Sequence, residues 1–127
     1  MLNISTYFFR SAILFLIAGI AIGIHMSVSQ SHDVIGAHAH INLLGWVTSA
    51  IFGGYYALNP AKSEGLLPLV QYWLYTLGVV VMGISLYLLL KGNVALEPVV
   101  AASSLVTFAG VLIFAWIVWM PSSARTA

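Results

Sequence analysis

Hydrophobic residues fall along this chain in four long runs separated by short polar stretches. The runs cover about Phe8 to Val28, Ile35 to Leu58, Leu69 to Leu90 and Val99 to Met120. Each reaches the length of about 20 residues that crosses the hydrocarbon core of a bilayer. Between them lie Ser29 to Val34, Asn59 to Pro68 and Lys91 to Pro98. Pro68 and Pro98 stand where the third and fourth runs begin, a place a helix tolerates proline, and Pro121 closes the fourth. Lipid offers backbone groups no partner, and four segments are too few for a barrel, so each run must be a helix. The pattern predicts an all-α integral membrane protein, a single four-helix domain over residues 1–127. With Arg10, an apolar stretch and Ser27-Val28-Ser29 as a weak cleavage-like site, the first run has the outline of a signal peptide. It reads here as a retained anchor.

Composition narrows the class. Of 127 residues, 61% are hydrophobic and only 6% are charged. Soluble domains carry about 25% charged residues. Four Lys or Arg and three Asp or Glu cannot cover a water-facing surface. That excludes a soluble globular domain, a disordered segment and a nucleic-acid binder, which needs a basic face. The absence of Cys removes disulfides, thiolate ligands and iron–sulfur clusters. The few charges set an orientation. Four crossings place both termini on one side, which carries Arg10, Lys62 and Arg125; the other carries Lys91 beside Asp33 and Glu97. The positive-inside rule then puts both termini in the cytoplasm, and the second helix runs from the outer face inward.

That second helix holds the chemistry. It begins Gly36-Ala37-His38-Ala39-His40-Ile41-Asn42-Leu43-Leu44-Gly45-Trp46, with two imidazoles and an amide inside an apolar run. Polar groups at such depth are costly and face a protein interior or a cofactor. Residues i and i+2 diverge by about 200° around a helix. His38 and His40 therefore serve two different sites, and the pair alone does not make a zinc chelate. A helix lying between two large planar cofactors needs this divergence. Asn42 shares the face of His38 and is a candidate to orient its ring.

The segment is similar to subunit I of the haem-copper oxidase superfamily, which includes cytochrome oxidases and nitric oxide reductases. The tenth helix of that subunit has the form Ala-His-x-His followed by small and aromatic residues. Ala37-His38-Ala39-His40 fits, with Ala50-Ile51, Gly54 and Tyr56 following. The second helix of that subunit has Ala-His and then Phe-Gly-Gly, matched by Ala37-His38 and Phe52-Gly53-Gly54. The resemblance covers about a sixth of the chain. It implies haem b held by His38 and His40, and a role in electron transport as a small membrane cytochrome of the bacterial inner membrane. That subunit also has twelve helices in pseudo-threefold array, with central ligands on the second helix of each four. The resemblance thus implies a homotrimer, three four-helix chains standing in for one subunit.

The departures matter too. All four histidines lie between His25 and His40, with no His-His pair, so the copper site of the family is missing its ligands. Asp33, Glu64 and Glu97 fall in loops or at helix ends, so no buried carboxylate offers a proton path. No catalytic residue is assigned. Two other readings stay open. One is a non-redox accessory or assembly protein in which the His pair is structural or binds copper. The other is an oxygen or nitric oxide reductase with one labile ligand.

Several residues bear on these readings. Gly19 and Gly23 form a small-xxx-small motif suited to helix packing. Gly45, Ser49 and Gly53 repeat it, with Gly45 a candidate for clearance beside a macrocycle. Lys91 is a candidate partner for a haem propionate. His25 and His32, with Asp33, are candidates for an outer metal site. Tyr55, Tyr56, Tyr72, Trp73, Trp116 and Trp119 read as interfacial aromatic belts.

Overall fold

The computed structural model describes residues 3–122 and is helical almost throughout, with no strand among the described residues. Helix α1 spans Ile4–Ser29. The second segment is one helical rod in three parts: α2, Ile35–His40; a π-helical stretch, Ile41–Thr48; and α3, Ser49–Leu58. Helix α4 spans Leu66–Leu90 and α5 spans Glu97–Trp119. Three helices, α1, α4 and the one ending at Trp119, are long and apolar enough to cross a membrane. Their outer faces are apolar as well: Leu14, Val28 and Leu105 are each more than two-thirds exposed. A soluble protein does not leave such continuous apolar surface in water. This is the build of an integral membrane protein.

The helix ends show why the runs stop where they do. The α1 helix starts four residues before the apolar run, because the Asn3 side chain accepts a hydrogen bond from Thr6 N–H and caps it. Pro68 and Pro98 both lie in first turns, where a missing N–H costs nothing. The α4 helix closes in a Schellman motif. Gly92, at φ 110°, donates to the Leu89 carbonyl, and Asn93 N–H donates to Leu88. Short 3₁₀ turns, Pro60–Ser63 and Val94–Leu96, fill the two later connections. Lys62 does not stand free as an interfacial charge. Its ammonium donates to the Ile117 carbonyl at 2.7 Å and to that of Met120, so it caps the end of α5. Arg125 lies outside the described residues.

Helix α1 packs along the second rod, and α4 packs along α5. The two pairs join through an aromatic core of Phe8, Phe52, Tyr56, Tyr72 and Tyr75, with Phe114 against it. Phe8 meets Phe52 and Tyr72 edge-on and stacks on Tyr56. Hydrogen bonds tie the same region: Ser5 Oγ donates to the Gly53 carbonyl, Ser11 and Tyr72 share a 2.7 Å hydrogen bond, and Tyr56 donates to Gln71. Tyr56 and Tyr72 are thus core residues and not members of an interfacial belt; their hydroxyls find partners inside the bundle. Trp73, Trp116 and Trp119 are half or more exposed, as belt residues should be. The core fixes one end of the bundle. The histidine pair lies at the other.

Candidate functional site: the histidine turn of the second rod

Val34, fully buried, anchors the chain where α2 begins, and His38 N–H donates to its carbonyl. The two histidines then diverge as helical spacing requires. His38 turns toward α1 and is half-buried; His40 is exposed on the outside of the bundle. Each ring has its Nδ1 against a backbone carbonyl. His38 Nδ1 is 2.8 Å from the Gly19 oxygen on α1, and His40 Nδ1 is 2.7 Å from the Gly36 oxygen one turn back on its own helix. A carbonyl only accepts, so both Nδ1 atoms carry the proton. That assigns the tautomer and leaves each Nε2 with a free lone pair, the form in which histidine binds a metal.

Asn42 does not orient the ring directly. Its amide donates to the His38 carbonyl at 2.8 Å. The same nitrogen is 3.4 Å from His38 Nδ1, but two donors face each other there, so this approach is not a hydrogen bond. The ring is held instead by α1. A Cβ built on Gly19 would lie 2.4–2.6 Å from the Asn42 amide, and one on Gly23 would lie 3.0 Å from His38 Cε1. The Gly19–Gly23 motif is therefore the notch that admits His38 and Asn42. Gly45 provides no clearance for a macrocycle: a Cβ there would meet Phe15 of α1 at 2.5 Å. Gly53 likewise faces Phe9 and Ser5.

Lys91 lies at the same end as the histidines, where its ammonium is 3.2 Å from Asp33 Oδ2. A Ser31 hydrogen bond, and then Lys91, hold the Asp33 carboxyl below its ordinary range. Asp33 is thus held in an exposed ion pair with Lys91. Among the described residues, no three His, Asp or Glu side chains gather into a chelating group, so His25, His32 and Asp33 do not form a three-ligand site in one chain. A haem asks less, since only two axial donors come from protein.

Sequence reasoning missed the two carbonyl partners and the π-helical stretch. A carbonyl leaves no trace in residue type; only the Gly19–Gly23 spacing signalled a close approach of α1. The π-helical stretch follows His40 directly. There Thr48 Oγ1 donates to the Leu43 carbonyl and Tyr75 donates to that of Leu44, each at 2.8 Å or less. Such stretches are rare and occur often at functional sites. No protein-family model, curated protein or solved structure matches the chain.

Proposed function

We propose that this protein is a small b-type cytochrome of the membrane, holding haem by bis-histidine ligation and passing electrons. The observation that carries this reading is the preset state of both imidazoles. Each has Nδ1–H committed to a carbonyl and Nε2 left as a donor, on opposite sides of one rod in apolar surroundings. A lone structural histidine needs only one satisfied nitrogen and no second ring of the same tautomer two residues away. The exposed His40 imidazole is also costly against lipid and needs an occupant on its face.

The two rings of one chain point apart, so they cannot ligate the same iron. Two chains are needed, His38 from one and His40 from its neighbour. In this reading the second rod crosses the bilayer with the other three helices. Both termini lie in the cytoplasm of a bacterial cell, and three chains close a ring. Haem bound by two imidazoles is six-coordinate and carries one electron reversibly. Lys91, released from Asp33, meets a propionate at the outer face.

The test begins with the absorption spectrum of the detergent-purified protein. A Soret band that shifts on reduction by dithionite supports the reading; a colourless, iron-free protein grown with ample haem overturns it. His38→Ala and His40→Ala should each lack the bis-His spectrum alone, and mixing the two should restore part of it. A reporter fused after Ala127 should be cytoplasmic.

A further inference from the structure

Both imidazoles are oriented by carbonyls, but the carbonyls differ in kind. Gly36 belongs to the same helical turn as His40 and moves with it. Gly19 belongs to another helix, so the His38 bond exists only while α1 and α2 stay close. Two features hold them close. The absent side chain of Gly23 leaves room for the ring, with the built Cβ 3.0 Å from Cε1, 3.5 Å from Nδ1 and 3.8 Å from Nε2. The absent side chain of Gly19 leaves room for Asn42, whose amide ties back to the His38 carbonyl at 2.8 Å. An alanine at Gly23 would require the His38 ring to give by a few tenths of an ångström, and one at Gly19 would require the Asn42 side chain to move.

We infer that Gly19 and Gly23 of α1 are positioning residues for His38: the notch fixes its ring, sets its Nδ1–H tautomer and raises its donor strength toward iron. The inference rests on the haem reading for its last element only. A carbonyl that accepts from Nδ1–H pushes electron density toward Nε2, and a stronger donor favours ferric iron. Widening the notch contact removes that push from one of the two ligands. Gly54→Ala is the control, since nothing lies within 4 Å of its built Cβ and it lies away from both histidines.

The experiment has two arms on the full chain. In the first, ¹⁵N-histidine NMR of the haem-free protein in detergent reads the tautomer of each ring. Wild type and Gly54→Ala should show His38 as Nδ1–H; Gly23→Ala should shift it to a mixture with Nε2–H. In the second, redox titration of the haem-loaded protein should give a higher midpoint potential for Gly23→Ala than for wild type, and no change for Gly54→Ala. The ring should also recover in the pair Gly19→Ala with Asn42→Ala, which trades one volume for the other, more than in Gly19→Ala alone. A wild-type His38 found as Nε2–H, or a Gly23→Ala protein with unchanged tautomer, overturns the inference. If the first arm succeeds and wild type takes up no haem, the cytochrome reading fails and the positioning role stands.

Discussion

Helices α4 and α5 approach closely where Gly110 faces Tyr75, and replacing Gly110 with alanine tests that contact. A Cβ at Gly110 would stand 2.8 Å from Tyr75 Cβ, 3.0 Å from its Cα and 3.1 Å from its N. Ordinary carbon contacts lie at about 3.5–4.0 Å. Two of the three obstructing atoms are backbone, so no rotamer change relieves them and the helices must part by roughly 0.7 Å. Such overpacking costs about 1–3 kcal/mol. Tyr75 is also pinned, its hydroxyl donating to the Leu44 carbonyl at 2.7 Å and its ring 4.9 Å from that of Phe52. Displacing it weakens a bond worth about 1 kcal/mol net. Alanine returns up to about 1 kcal/mol as the better helix former. The expected balance is a loss of about 1–3 kcal/mol. Gly54→Ala provides the comparison: nothing lies within 4 Å of its built Cβ, so only the helix-former gain remains. Unfolding both variants in mixed micelles by raising the dodecyl sulfate fraction, followed by circular dichroism, measures the difference. A Gly110→Ala protein as stable as Gly54→Ala would falsify the packing of α4 on α5.

Lys62→Met should loosen the end of α5, by about 1–2 kcal/mol, because two terminal carbonyls lose a charged donor. Hydrogen exchange at Ile117 to Met120 should quicken while the start of α5 is unchanged. Tyr75→Phe should cost about 1–2 kcal/mol by leaving the Leu44 carbonyl without its donor in an apolar interior; an unchanged melting temperature would mean the hydroxyl contributes nothing. Asp33 has a lowered pKa, so its contribution is full at neutral pH, above the ordinary carboxylate value, and is lost progressively as pH falls from that value through the lower folded-state one. Asp33→Asn should abolish that acid-side loss, and added salt should weaken it, because both partners are exposed.

The four helices were legible because lipid demands long apolar runs, and proline marks their first turns. Their edges were less so: Asn3 adds four residues to α1 by a cap that hydrophobicity does not register. The divergence of His38 and His40 followed from spacing alone. Tyr56 and Tyr72 were misplaced because a tyrosine near a helix end looks the same whether it meets headgroups or a buried Gln71 or Ser11. Gly45 was misplaced for a related reason. A glycine announces that something comes close, not whether it is a macrocycle or, as here, Phe15.

The contacts with α1 also decide which symmetry the site can use. Descending the second rod, His38 meets Gly23 and Gly19, Asn42 meets Gly19, Gly45 meets Phe15, and Gly53 meets Phe9 and Ser5. The partners on α1 fall back by roughly a turn at each level, so α1 fixes the rotation of the rod over most of its length. One face is thereby spent inside the chain, where His38 is half-buried, while His40 is exposed. The two imidazoles are inequivalent before any assembly forms. A twofold dimer would bring the same face of both chains together, so a pairing through the His40 face leaves His38 unused. A cyclic assembly brings unlike faces together, so that an interface can hold the half-buried imidazole of one chain and the exposed imidazole of the next. The two cases separate cleanly under His38→Ala. In a ring, every site loses a ligand and the bis-His spectrum disappears. In a twofold pair the spectrum survives intact, and only His40→Ala removes it.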